Sequence, residues 1–343
     1  DGTNGRELWQ SDGTSAGTTL VKDIRTEGSS EPNFLTNVNG TLFFSANDGV
    51  SGYELWQSDG TSVGTTLVKD IRTGNSNDYP YYSPYSGSPS SLANVNGILF
   101  FSANDGVNGD ELWQSDGTSA GTTLVKDIVT GGGSSQADFL TNVNGTLFFK
   151  VEDGGSVALW QSDGTSAGTT LVKDIVTGGG SSYLRYLTNV NGTLFFSADD
   201  GVNGSELWQS DGTSAGTTLV KDIYSGSSNS NPFSLTNVNG TLFFSANDGV
   251  NGRELWKAEV PADTSSVQLA VVDRPKVSVH AGSFLPPGLV TDINTGGYSY
   301  EFLTNVNGTL FFRGNEGVNG YELWKSDGTS SGTTLVKDVF TGY

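Results

Sequence analysis

One block of sequence, Glu7-Leu8-Trp9-Gln10-Ser11-Asp12-Gly13-Thr14 running on to Leu20-Val21-Lys22-Asp23-Ile24, recurs almost unchanged around Trp56, Trp113, Trp160, Trp208, Trp256 and Trp324. The tryptophans are spaced by 47, 57, 47, 48, 48 and 68 residues, so 47 is the basic period and two steps carry insertions. A fixed period of this size means an array of one small unit. Such an array shares one continuous core, so a length of 343 residues does not argue for two independent domains.

One unit reads Phe34 to Val38, then Asn39-Gly40, then Thr41-Leu42-Phe43-Phe44-Ser45-Ala46, a polar stretch, Glu54 to Ser58, and Thr65 to Ile71. This pattern predicts four strands, lettered A to D. Asn39-Gly40 is a strong signal for a two-residue hairpin with positive φ at both positions. Ser58 to Gly64 predicts a longer glycine-containing loop between C and D. No stretch has helical periodicity.

Apolar residues stand side by side in Leu42-Phe43-Phe44 and Leu55-Trp56, and neighbours in a strand point to opposite faces. Both faces of each sheet are therefore apolar, whereas a sheet with one wet face would alternate. Neighbouring sheets of the array must supply the cover, which predicts an all-β fold, a β-propeller of four-stranded antiparallel blades. C–D hairpins outnumber A–B hairpins by one, because the chain opens on an orphan C–D pair at residues 7–24. The expected count is about seven blades with one incomplete in this chain, its A–B hairpin following Tyr343 or coming from another chain; six blades is the alternative.

Two stretches break the repetition. Residues 74–91, rich in Tyr, Ser and Pro, lengthen a D-to-A connection, and residues 257–288 replace the loop of the sixth C–D hairpin and read as a protruding hairpin. Strand alternation puts these two on opposite faces of the array.

The formal charge of -20 comes mostly from the repeat and disfavours nucleic acid and anionic membranes while favouring cations or basic partners. With no cysteine there is neither a disulfide framework nor a thiolate metal site. No methionine occurs, at position 1 included, as expected of a processed or excised piece. Loss of both oxidisable residues suits an exposed, oxidising location. No apolar run approaches the roughly 20 residues that span a bilayer, so membrane insertion is not expected.

The motif resembles that of the ELWxxDGT-repeat proteins, bacterial repeat proteins of secreted or surface-associated character. It matches at Glu7-Leu8-Trp9 with Asp12-Gly13-Thr14, and again at 54–61, 111–118, 206–213 and 322–329. Ala158 replaces the glutamate in one copy, and the Asp-Gly-Thr half is missing after Trp256. The resemblance implies a propeller and an extracellular or cell-surface setting, and it assigns no catalytic residue.

Closely spaced Asp, Asn and Glu oxygens in the B–C loops suit Ca²⁺, which takes six to eight oxygen ligands on a bendable loop. The candidates are Asp48 with Glu54; Asp105 and Asn108 with Glu111; Asp199, Asp200 and Asn203 with Glu206; Asp248 and Asn251 with Glu254; and Glu316 with Asn319. The bland alternative is a turn whose side chains bond their own backbone, and the same reading suits the Asp-Gly-Thr loops. Asn39, Asn144, Asn191, Asn239 and Asn307 are formal glycosylation acceptors, with the hairpin turn as the structural alternative. The tryptophans read as inter-blade core. Tyr79, Tyr81, Tyr82 and Tyr85 have no periodic counterpart and are candidate contacts for a glycan or protein partner.

For catalysis the inventory is poor. His280 is the single histidine and lies in the insert, so no Ser-His-Asp set assembles around it. The expectation is a non-enzymatic extracellular scaffold for surface attachment or assembly, partnered by itself or by neighbouring segments of a longer chain. A lectin-like glycan-binding module is its alternative, and a glycan-active enzyme comes third.

Overall fold

The computed structural model describes residues 2–76, 83–176, 181–259, 287–291, 301–315 and 320–337. Residues 1–171 and 172–343 form two compact units. Among the described residues there is no helix, and the strands make one two-stranded sheet followed by six four-stranded sheets. The fold is a β-propeller.

The opening half-blade consists of Leu8–Gln10 and Thr19–Lys22. Blade 1 has strands A to D at Asn33–Val38, Thr41–Asn47, Tyr53–Ser58 and Thr66–Lys69. Blade 2 runs from Ser90–Val95 to Thr123–Lys126, and blade 3 from Asp138–Val143 to Thr170–Asp174. Blade 4 has Arg185–Val190, Thr193–Asp199, Ser205–Ser210 and Thr218–Lys221. Blade 5 has Phe233–Val238, Thr241–Asn247, Arg253–Glu259 and Gly288–Thr291, and blade 6 runs from Glu301–Val306 to Thr334–Lys337. Strand order in each blade is A-B-C-D, all antiparallel. The long insert thus leaves from strand C of blade 5 and returns to strand D; its residues 260–286, with His280, lie outside the described residues.

Local chemistry accounts for these elements. Asn39 and Gly40 have φ of 52° and 88°, as the hairpin reading requires, and Asn37 Oδ1 accepts a bond from the Gly40 N–H at 2.9 Å. In the C–D loop, Asp59 Oδ1 accepts from Thr61 N–H (2.8 Å) and Thr61 Oγ1 (2.7 Å), while Thr61 Oγ1 accepts from Gly64 N–H (2.9 Å). The same bonds recur at Asp12, Asp116, Asp163, Asp211 and Asp327, so Asp-Gly-Thr shapes the hairpin. Gly64 must lack a side chain, since a Cβ there would lie 2.1 Å from the Asp59 carboxylate.

Packing repeats with the sequence. Val38, Phe43, Leu55 and Val68 of blade 1 meet Leu99, Phe101, Ala103 and Trp113 of blade 2 in one buried cluster. Equivalent sets join blades 2 and 3, blades 4 and 5, and blades 5 and 6. Each blade therefore has a leading face of Val, Phe and Leu and a trailing face built on Trp. Strand-D lysines of the half-blade and blades 1 to 4 add struts: Lys126 Nζ, for example, donates to the Thr169 carbonyl at 2.8 Å, and Lys173 Nζ to that of Thr217 at 2.7 Å.

Three differences from the sequence reading stand out. Trp9 is 40% exposed, not buried between blades, because the half-blade has no B strand beside it; Trp160 is only partly buried. Strand D ends at Lys69, short of Ile71, because the Ile71 N–H bonds to Glu54 and leaves the ladder. Finally, Leu323 of blade 6 is 43% exposed where Leu55, Leu112, Leu159, Leu207 and Leu255 are 0%.

Candidate functional site

The B–C loop acids divide into two groups with separate tasks. Asp48 Oδ1 accepts from Val50 N–H (2.8 Å) and Ser51 N–H (2.7 Å). Asp105 accepts from Val107 and Asn108 N–H, both at 2.8 Å, and from Asn108 Nδ2. Asp200 with Asn203 and Asp248 with Asn251 repeat that arrangement, and Asp199 accepts from Gly201 N–H at 2.7 Å. Burial raises the carboxyls of Asp105, Asp200 and Asp248, but the bonds from the following backbone and asparagine outweigh it and hold them low.

The glutamates sit elsewhere. Glu54 lies in strand C, fully buried, with Oε2 accepting from Ile71 N–H (2.8 Å) and Oε1 from Gly87 N–H (2.6 Å). It ties the end of strand D to the connection that leads into blade 2. Glu111 bonds Ile128 and Ser135 likewise, Glu206 bonds Ile223 and Ser230, and Glu7 bonds Ile24 and Ser30. Glu254 is equally buried. Reading these glutamates as partners of the loop aspartates is thus corrected, because strand C carries them inward to backbone N–H groups. Among the described residues no three of His, Cys, Asp and Glu group closely enough to hold a metal ion. Glu316 and Asn319 lie outside the described residues.

Desolvation dominates the titration of these clamps. It pushes the Glu54 carboxyl up from 4.5 to about 7, against the bonds from Ile71 and Gly87, and Asp70 adds to the rise. Burial raises Glu111 and Glu206 in the same direction.

Asn39, Asn144, Asn191, Asn239 and Asn307 all take positive φ in their turns. Asn191 and Asn239 each reach the carbonyl of the next turn, Gly240 at 3.4 Å and Gly308 at 3.5 Å. Of the tyrosine loop, Tyr79, Tyr81 and Tyr82 lie outside the described residues, and Tyr85 is held under the Arg72 guanidinium at 4.9 Å.

A cavity that the repeat does not announce lies between blades 4 and 5. It has a volume of about 520 Å³ and is lined by Tyr183, Arg185, Tyr186, Phe233, Arg253 and several polar groups that include Asp199 and Asn231. The bulge that strand A makes in every full blade borders it: here Tyr186 and Leu187 face one residue of strand B, and Tyr186 has φ of 60°. Arg253 begins strand C of blade 5, its guanidinium 4.8 Å from the Phe233 ring centroid and bonded to the Asn231 carbonyl at 3.0 Å. Burial lowers the Arg253 pKa, with Tyr186 acting in the opposite sense.

Sequence reasoning missed this site because it looked for chemistry in what repeats. The signal was in what varies. Within each unit, the residue that starts strand A and the one that starts strand C of the next blade are Asn33 with Asp110, Ser90 with Ser156, Arg185 with Arg253, and Phe233 with Tyr321. One pairing puts two cations together, in a chain of charge -20.

No family model and no curated protein matches this sequence, so the ELWxxDGT resemblance rests on the residues quoted above. Solved structures do share the fold. One, from a structural and mechanistic analysis of two prolyl endopeptidases, is 14% identical over 89% of this chain and 42% of its own, with a TM-score of 0.51. A puromycin hydrolase is 13% identical over 96% and 49% of the two chains, with a TM-score of 0.49. A puromycin-hydrolyzing peptidase of Mycobacterium tuberculosis is 14% identical over 97% and 50%, also at 0.49. What the first of them shares with this chain is the fold.

This chain spans half or less of the length of those proteins. The expectation of a surface-attachment or assembly scaffold, with its lectin-like and glycan-active alternatives, is withdrawn. The structure reported above with a TM-score of 0.51 comes from a study of prolyl endopeptidases, which runs against that expectation.

Proposed function

We propose that this chain is a propeller that binds without catalysing, and that it takes a carboxylate-bearing peptide in the cavity between Arg185 and Arg253. The observation that carries the reading is the pair of guanidinium groups around one cavity of about 520 Å³. Guanidinium presents its N–H groups as a planar fork that matches a carboxylate. Arg253 spends one donor on Asn231 and is braced by Phe233, so its fork is held before a ligand arrives. Tyr183 and Tyr186 add aromatic surface on which a peptide side chain can rest. That a propeller of this fold is part of a prolyl endopeptidase makes a peptide the first ligand to test.

The non-catalytic part of the reading rests on residue chemistry. The chain has no thiol, and its single histidine, His280, belongs in sequence to the insert. A library of immobilised peptides tests the proposal. Retention should favour peptides rich in Asp and Glu and should be lost in Arg253→Ala; retention indifferent to acidic content would sink it.

A further inference from the structure

Beside Arg185 and Arg253, the cavity between blades 4 and 5 is lined by a charged group of the opposite sign, Asp199, which ends strand B of blade 4. Asparagine holds the same place in blades 1, 2 and 5, as Asn47, Asn104 and Asn247. All four side chains serve the B–C turn alike. Oδ1 accepts from the glycine N–H two residues on, at 2.7 Å each time. The turn therefore asks for one side-chain oxygen, and an amide supplies it as well as a carboxylate does.

The aspartate changes the second atom. Asparagine carries an NH2 donor there, whereas an ionised carboxylate carries another acceptor and a negative charge. Among the described residues that oxygen accepts no hydrogen bond, and Asp199 forms no ion pair with either arginine of the cavity. The neighbouring interfaces lack this combination. Where blades 1 and 2, 2 and 3, and 5 and 6 meet, the residues that start strand A and the next strand C include no cation. Three departures from the repeat thus coincide at one cavity, two of them positive and one negative.

We propose that Asp199 receives the α-ammonium of the ligand, so that the cavity takes the free N-terminus of an acidic peptide and not an internal stretch of one. This rests on the reading of Arg185 and Arg253 as a carboxylate site. An ammonium has only donors to offer, and an ionised carboxylate only acceptors, so their hydrogen bonds are charge-assisted. A peptide that begins with Asp or Glu carries its ammonium and its first side-chain carboxylate on one residue. A volume of about 520 Å³ lies in the range of pockets that enclose most of a small ligand, which leaves room for such an end.

The experiment titrates a peptide of four glutamates, its amino end either free or acetylated, into the native chain, Asp199→Asn and Arg253→Ala, followed by calorimetry. Asp199→Asn restores the residue of the other blades, so the turn bond to Gly201 and the melting temperature should be kept. The free peptide is expected to bind the native chain at least about tenfold more tightly than the acetylated one, and Asp199→Asn should abolish that preference. The overall charge of -20 also favours an ammonium, but this general bias would persist in Asp199→Asn. Equal binding of the two peptides to the native chain overturns the proposal, as does a preference that survives in Asp199→Asn. If binding is equal yet falls in Arg253→Ala, the carboxylate site stands and only the role of Asp199 is lost. Absence of heat from both peptides removes the carboxylate site and the role of Asp199 together.

Discussion

Leu112 and Leu323 hold the same place in strand C of their blades, yet Leu112 is completely buried and Leu323 is 43% exposed. Leu112 lies in the cluster between blades 2 and 3 with Phe100, Leu147 and Phe149. Truncating it leaves a cavity among these groups, so Leu112→Ala should cost about 2–5 kcal/mol. Leu323→Ala opens no closed space and should cost less than about 1 kcal/mol. Denaturant melts of the two variants decide this; equal losses would mean that blade 6 is covered on its leading face.

Stability should fall as pH rises toward neutrality. The folded-state pKa of Glu54 is raised from 4.5 to about 7, so the folded chain holds a proton that the unfolded chain releases. Its contribution is complete below pH 4.5 and is lost as pH rises through about 7. Glu111 and Glu206 shift in the same direction and add to the slope. The melting temperature is expected to be higher at pH 5 than at pH 7.5, with a smaller difference in Glu54→Gln. An identical pH profile in that variant would refute the assignment.

Chelation should leave the melting temperature unchanged at constant ionic strength. The loop aspartates already accept backbone N–H groups, and Glu54, Glu111 and Glu206 are turned inward to other backbone donors. A ligand bound only to the folded state would raise the melting temperature by mass action. A drop on adding chelator would therefore restore the loops as Ca²⁺ sites.

The propeller was legible in the sequence because its determinants are local and repeated. Asn39-Gly40 dictates a hairpin, Asp59-Gly60-Thr61 dictates a loop, and adjacent apolar residues in Leu42-Phe43-Phe44 demand cover on both faces. The role of Glu54 was not legible. Its partners, Ile71 and Gly87, are 17 and 33 residues away, and nothing in a motif says that a glutamate beside a polar loop will turn into the core. Trp9 misled for a related reason: its letters match those of Trp56, but burial depends on a strand B that its own sheet lacks. The cavity was hidden more deeply still. Arg185 and Arg253 are 68 residues apart in sequence and meet only because successive blades place the start of one strand A near the start of the next strand C.

The central claim is that two guanidinium groups make this cavity a carboxylate site. Hydrogen bonds to charged groups contribute about 1.5–3 kcal/mol each, so removing one arginine should weaken an acidic ligand roughly tenfold or more. The direct measurement is calorimetric titration of one Glu-rich peptide into the native chain and into Arg185→Ala, Arg253→Ala and the double variant. The account expects a loss of at least about tenfold in each single variant and no detectable heat in the double. Unchanged affinity in the double variant, with its melting temperature preserved, would contradict it.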